Sequence, residues 1–415
     1  MILASGGTMA ETPGDADVAI FNSCAVTAEA EAALRQAVRR AAPGTTMDRA
    51  TLPRSIVMGC AAALDSGVIA ALPGVRAVIP GDDLAALADA LGIAPGFAVA
   101  APDAQSGSRA LLRIQDGCDE HCTFCATTLA RGASRSRALD DVVREAAGLA
   151  AHHPEIVLTG VHIGTYGADC GSSLGILLGR LVAALPGVRF RLTSIEATEV
   201  DGRLAELLTR RDGTVAPNLH APLQSGSDRV LKRMGRSWYT AAGYARAIHR
   251  LTLDGGPFGL GADIIVGFPG ETEADHAATV ALVRDLPFTY LHVFPWSPRP
   301  GTAAAHLNDR PRSEVTRRRA AELRAVGEEK SSRYRRARAG GFADVVVLGA
   351  VGKRTGLTED YLSVTLGDPS LPRRSRLQAR LELVGTDGLV ARTSSPALPG
   401  VALGAGLTML ASSSD

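Results

Sequence analysis

Nowhere in the 415 residues do about 18 apolar side chains run uninterrupted. The opening Met1-Ile2-Leu3-Ala4-Ser5-Gly6-Gly7 also has no basic segment leading into an apolar stretch. A cytoplasmic protein without membrane contact is the expectation. Six cysteines are too few for a disulfide framework in a chain of this size, and cytosolic thiols stay reduced, so clustered ones point to metal or catalysis. There is no Walker loop and no Gly-x-Ser-x-Gly elbow, which argues against P-loop phosphate chemistry and serine hydrolysis. No repeat of solenoid length is present. Charge is nearly balanced at +1, but most basic residues are arginines, gathered around residues 131–137 and 310–338. An apolar content of 46% and the length allow two or three domains with full cores.

What is present is a loop of three thiols. Cys118, Cys122 and Cys125 are spaced Cys-x-x-x-Cys-x-x-Cys directly after the apolar run Leu111-Leu112-Arg113-Ile114. Structural zinc takes four ligands and iron–sulfur cubanes usually take four thiolates, so three leave one iron open to a small molecule such as S-adenosylmethionine. The competing reading, a zinc knuckle or three structural thiols, needs a fourth ligand nearby. His121 abuts Cys122 and is badly placed to share its metal.

Before this loop, residues 17–26 predict a strand ending near Cys24, followed by a helix over 28–41. Ser55-Ile56-Val57-Met58-Gly59-Cys60 repeats strand then cysteine, and residues 74–80 supply a third strand before a helix near 82–91. Alternating strands and helices imply a parallel α/β layer, whose ligands gather beyond the carboxyl ends of strands, where Cys24 and Cys60 fall. A Pro-, Ala- and Gly-rich stretch, 94–107, makes a linker. Further βα units have strands at 154–159, 188–194, 217–220, 259–266 and 289–294, which with the cysteine strand make a partial (β/α)6 barrel. Residues 310–338 read as a long basic helix or helix pair. From 341 onward, alternating apolar and polar residues broken by glycines predict a small antiparallel β barrel. The expected domains are 1–95, 105–335 and 340–412.

Several motifs fall at the carboxyl ends of the barrel strands. Gly160, in Thr159-Gly160-Val161-His162-Ile163-Gly164, offers close backbone approach to a ligand, or simply a strand-to-helix turn. Ser194 and Glu196 share one side of a strand end, where a carboxylate can hold ribose hydroxyls or make a rim ion pair. Gln224 faces the same mouth, and Val266, before Gly267-Phe268-Pro269-Gly270, can pack under an adenine ring. Phe124 precedes the last thiol. Arg131, Arg135 and Arg137 suit nucleic-acid phosphates, against the plainer reading of a solvated charged face.

Together these residues resemble the methylthiotransferases, radical S-adenosylmethionine enzymes with an N-terminal domain that carries a second iron–sulfur cluster and a C-terminal TRAM barrel. The resemblance covers nearly the whole chain. It rests on Asn22-Ser23-Cys24-Ala25-Val26-Thr27, Gly59-Cys60 and Asp116-Gly117-Cys118 through Arg137. Thr159 to Gly167, His292 to Thr302 and Gly356 to Tyr361 are most similar to the MtaB type, which acts on N6-threonylcarbamoyladenosine at position 37 of tRNA. The resemblance implies that Cys118, Cys122 and Cys125 hold a 4Fe-4S cluster that cleaves S-adenosylmethionine to a radical. That radical takes hydrogen from carbon 2 of the adenine. Cys24 and Cys60 would help to hold an auxiliary 4Fe-4S cluster that carries the sulfur. Implied partners are the tRNA anticodon loop, a reducing electron donor and a sulfur source, with the enzyme acting as a monomer. Alternatives are a sister enzyme acting on isopentenyladenosine in tRNA or on a ribosomal-protein aspartate, and a non-catalytic RNA-binding remnant. The family expects three auxiliary cysteines where this sequence has two, so the expectation is a start upstream of Met1 and a missing strand bearing the third. Cys170 reads as incidental, and Ala126-Thr127-Thr128-Leu129 departs from the family's usual loop.

Overall fold

The computed structural model of the chain describes residues 2, 6–11, 16–24, 28–41, 54–81, 83–93, 105–253, 255–349 and 355–393. Met1, most of the expected linker and the last part of the expected third domain lie outside them. The first layer runs β1 (Val18–Ser23), α1 (Ala28–Ala41), β2 (Arg54–Gly59), α2 (Cys60–Ala63), β3 (Val75–Pro80) and α3 (Leu84–Leu91). Its strands pair in parallel in the order β1-β2-β3. Side chains alternate across a strand, so Val57 joins Leu34 and Val38 of α1 on one face while Ile56 and Met58 pack with Leu87 of α3 on the other. The two thiols sit where expected, Cys24 just after β1 and Cys60 at the start of α2.

The middle of the chain is β4 (Ala110–Arg113), β5 (Gln115–Asp116), α4 (Thr127–Arg131), β6 (Arg135–Ser136), α5 (Leu139–Ala150), β7 (Glu155–Thr159), α6 (Leu174–Ala184), β8 (Arg189–Leu192), α7 (Gly202–Thr209), β9 (Asn218–His220), α8 (Asp228–Arg233), α9 (Ala241–Thr252), β10 (Gly259–Val266), α10 (Glu273–Asp285) and β11 (Tyr290–Pro295). Strands β4-β7-β8 and β9-β10-β11 form two parallel sheets, joined by bridges Phe190↔Val215 and Ser194↔His220 into one open wall of six strands. The five later strands lie within two residues of their expected bounds. Helices bury one stripe each, such as Val142, Ala146 and Leu149 of α5, which pack with Leu112 and Leu158 in a single core.

Residues 313–338 form one helix, α11 (Ser313–Arg338). Its arginines largely meet protein partners: Arg319 meets Glu271 at 2.6 Å and Arg318 meets Glu273 at 2.7 Å. The solvated and structural reading of this segment therefore prevails over a free basic surface. Strands β12 (Phe342–Leu348), β13 (Thr355–Thr358), β14 (Ser363–Leu366), β15 (Arg376–Val384) and β16 (Gly388–Arg392) close into a barrel in the order β12-β13-β14-β16-β15. It encloses Val345, Val347, Leu366 and Leu381.

The terminal barrel docks through buried charge. Glu155, fully buried at the start of β7, takes Arg189 Nε at 2.5 Å and Arg191 Nε at 2.9 Å, with Arg109 at 3.5 Å. The two inner guanidiniums then reach across: Arg189 Nη1 donates to Asp344 O at 2.6 Å and Arg191 Nη2 to Thr358 O at 3.0 Å.

Candidate active site

The three-thiol loop hangs between β5 and α4, and backbone hydrogen bonds fix it at several points. Cys118 N donates to Gly132 O at 3.1 Å, Thr123 N to Met234 O at 2.8 Å and Ala304 N to Thr123 O at 2.8 Å. Phe124 packs edge-to-face on Phe268, with ring centres 6.4 Å apart, so it pins the loop from behind. Gln115 supplies the floor. Its Oε1 accepts from Val161 N at 3.0 Å and His162 N at 2.8 Å, while Nε2 donates to Gly117 O at 2.7 Å. A Cβ on Gly160 would stand 2.8 Å from Gln115 O and 2.6 Å from Ile163 Cγ2, so this close packing by itself demands glycine.

Each thiol has a polar neighbour. Cys118 Sγ lies 3.5 Å from His162 Nδ1, whose other nitrogen faces Glu199 at 2.8 Å. Burial works against charging His162, yet Cys118 and Glu199 on either side raise it to about 10. Arg236 Nη1 reaches Cys122 Sγ at 3.4 Å, and Cys125 Sγ meets Thr127 Oγ1 at 3.0 Å. Burial pushes the Cys122 thiol up to about 11 despite Arg236. A buried thiol that resists ionisation becomes a thiolate when a metal cation supplies the missing positive charge.

Arg236 also ion-pairs with Glu196, and its Nε donates to Tyr239 OH at 3.0 Å. The other carboxylate oxygen, Glu196 Oε2, is buried and has no hydrogen-bond partner. A buried acceptor left open beside an incomplete thiol set is the mark of a ligand site. Burial is the largest influence on this carboxyl and lifts its pKa despite Arg236. Gln224, at the same mouth, holds the left-handed backbone at φ 60° although it is not glycine. Ser194 is exposed at the rim, whereas Val266 is wholly buried in the core and its carbonyl is taken by Trp296 N at 2.8 Å.

The first layer comes to the same loop. Arg131 Nε donates to Cys60 Sγ at 3.2 Å while its Nη1 holds Asp116 at 3.0 Å. Arg131 was expected among phosphate-facing arginines; its guanidinium is turned inward. Arg135 is exposed and bonds Ala133 O at 3.1 Å, and Arg137 pairs with Glu145 at 2.7 Å.

Residues 112–283 match the Radical SAM superfamily, and residues 1–81 match the Uncharacterized protein family UPF0004. The threonylcarbamoyladenosine tRNA methylthiotransferase MtaB of Thermotoga maritima is 35% identical over 350 residues, 80% of this chain and 79% of its own. The Bacillus subtilis protein of the same name is 35% identical over 341 residues, 77% of this chain and 74% of its own. The chain belongs to the radical SAM methylthiotransferases.

A relative in Ralstonia pickettii named tRNA-2-methylthio-N(6)-dimethylallyladenosine synthase is 32% identical, covering 90% of this chain and 87% of its own. Among solved structures, the methyltransferase TsrM of Kitasatospora setae superimposes at a TM-score of 0.42, with 20% identity, covering 48% of this chain and 39% of that one.

The donor set of this methylthiotransferase fits a cubane at Cys118, Cys122 and Cys125: three thiols on one short loop, with an open acceptor beside them. Of the other three cysteines, Cys24 follows β1, Cys60 opens α2 and Cys170 is exposed on a loop of the middle domain. Sequence reasoning missed Gln115, His162 and Arg236. Gln115 lies just before the thiol motif, and His162 lies inside the motif singled out for Gly160. Arg236 lies 114 residues from its thiol and carries no local signal.

Proposed function

We propose that this methylthiotransferase adds a methylthio group to carbon 2 of N6-threonylcarbamoyladenosine in the anticodon loop of tRNA. The observation that carries the reading is the unpartnered Glu196 Oε2 beside three thiols and within reach of Arg236. Bound there, a 4Fe-4S cluster with one open iron would supply reductive cleavage of S-adenosylmethionine and hence hydrogen abstraction. Cys118, Cys122 and Cys125 hold that cluster, while Glu196, Gln224 and Ser194 contact the cofactor's polar groups. Phe124 and Gly160 act on the loop's shape, and Val266 closes the core beneath it. Cys24 and Cys60 contribute two ligands to the auxiliary cluster. Arg131 donates to Cys60 and so tethers the two centres. Arg135 and Arg137, with the TRAM-like terminal barrel, meet the RNA backbone. The names of the Thermotoga and Bacillus relatives favour the threonylcarbamoyl substrate.

Anaerobic reconstitution is expected to give about eight irons per chain, the content of two cubanes. With reductant, S-adenosylmethionine and tRNA carrying the modification, digested RNA should contain 2-methylthio-N6-threonylcarbamoyladenosine by mass spectrometry. Methylthiolation confined to isopentenyladenosine or to protein would overturn the substrate. About four irons with no product would leave the RNA-binding remnant.

A further inference from the structure

The wall of six strands is hollow. A cavity of about 460 Å3 is lined by residues from all of them, and among its apolar side chains stand two histidines, an aspartate and Arg109. Asp263 Oδ1 lies 3.0 Å from His220 Nε2 and 3.2 Å from His292 Nδ1, and His220 Nδ1 lies 3.2 Å from Tyr290 OH. The donor atoms of the two imidazoles and the carboxylate fall within 4.8 Å of one another, and hydrogen bonding among them already accounts for that spacing. Burial opposes ionisation of Asp263, but His220 and His292 outweigh it and hold the carboxyl below its usual range. The bond to Asp263 in turn raises His292.

The cluster is not closed off as a core network would be. The side chain of His292 is 54% exposed, and that of Arg109, meeting Glu155 only at 3.5 Å, is 27% exposed. Below it, Glu155 answers three arginines; Arg189 turns also to Asp344 at 3.4 Å, and Arg109 keeps the longest contact of the three to Glu155. The last wall comes from the terminal barrel. Tyr361, in the turn between β13 and β14, lies 5.3 Å from Tyr290 and 5.4 Å from the Arg191 guanidinium. It holds φ 71°, a left-handed backbone that a tyrosine rarely adopts, fixed in part by its N–H on Thr358 O at 3.2 Å. Strain of this kind is kept where the surroundings impose it, as at ligand clamps.

Resting on the proposed function, we propose that His220, Asp263, His292, Tyr290, Tyr361 and Arg109 form the seat for the N6 substituent of the target adenine, selecting an anionic, hydroxyl-bearing group over a prenyl chain. A purine that turns carbon 2 toward the thiol loop carries its N6 group away from that loop, toward the interior. The threonylcarbamoyl carboxylate then meets Arg109, while its hydroxyl and amides meet His292 and Asp263. An isopentenyl chain in the same place strips water from the imidazoles and carboxylate and returns no hydrogen bond.

The test is binding without turnover. The reconstituted full-length protein, without reductant, is titrated with labelled anticodon stem-loops bearing threonylcarbamoyladenosine, isopentenyladenosine or plain adenosine. The wild type should prefer the threonylcarbamoyl loop by at least about tenfold over both others. His292→Leu and Tyr361→Ala should each bring the three loops within about twofold of one another, with unchanged iron content and affinity for plain adenosine. Tyr361→Ala, on an exposed turn, decides the matter where His292→Leu does not fold. Discrimination retained in the folded variants overturns the seat and leaves the proposed function standing. A wild type that prefers isopentenyladenosine, or binds no loop, overturns both.

The same cavity yields a smaller prediction. Gly261 on β10 faces Tyr290 on β11, and a Cβ there would stand 2.0 Å from Tyr290 Cζ. Gly261→Ala is expected to lower the urea unfolding midpoint by overpacking.

Discussion

Cys122→Ala protein, reconstituted anaerobically beside the wild type, should hold about four fewer irons per chain and release no 5′-deoxyadenosine from S-adenosylmethionine. Among the described neighbours, His121 is exposed, Cys125 is already a ligand in this reading, and Glu196 is held by Arg236, so none replaces the lost ligand. The fold should survive. Arg236 keeps Glu196 and Tyr239, and the loop keeps its backbone bonds to Gly132 and Met234. Equal melting curves with a lost cluster are therefore the expected pair of readings. Full iron content together with cofactor cleavage in the variant would show that these thiols do not hold the cluster.

Glu155→Leu is expected to destabilise the chain by about 3–5 kcal/mol, because it strands buried guanidiniums. Arg189 and Arg191 are 0% and 1% exposed and have no route to water. The expected reading is a large drop in thermal and urea midpoints, with the middle and terminal barrels melting together. The wild type should show the same dependence through pH. Burial raises the Glu155 carboxyl, but Arg191 and Arg189 outweigh it and lower it from 4.5 to about 2. A depressed carboxyl stabilises the fold above its unfolded value, and that stability drains as pH falls from about 4.5 toward 2. Chemical denaturation at pH 7 and pH 3 should differ, and the difference should shrink in Glu155→Leu. A midpoint unmoved by the substitution would mean that the network adds no stability.

What could be read from the sequence was local. Strands such as Ile156 to Leu158 and Ile264 to Val266 announce themselves because both faces of a parallel sheet are covered and every side chain is apolar. The thiols of the loop lie within eight residues of one another, so their spacing carries their chemistry. The partners of Arg131 were hidden for the opposite reason. Three arginines in seven residues look like a phosphate grip, and only the approach of α2 to α4 gives one of them a partner 71 residues away. Glu155 reads as a polar strand start, because the arginines and terminal strands that bury it come later in the chain. Tyr361 likewise gives no sign in Thr358-Glu359-Asp360-Tyr361 that it walls a cavity made by the six-stranded wall.

The docking of the terminal barrel also sets an order of assembly. Arg189 and Arg191 find their carbonyl partners 155 and 167 residues further along the chain, at Asp344 and Thr358. A ribosome releasing this protein finishes β11 while those guanidiniums still depend on water, so the amino-terminal rim of the six-stranded wall stays hydrated until the last strands emerge. A premature stop codon beyond α11 therefore removes more than a terminal appendage. It leaves the catalytic body with an open, charged base that the nascent chain has no other means to seal.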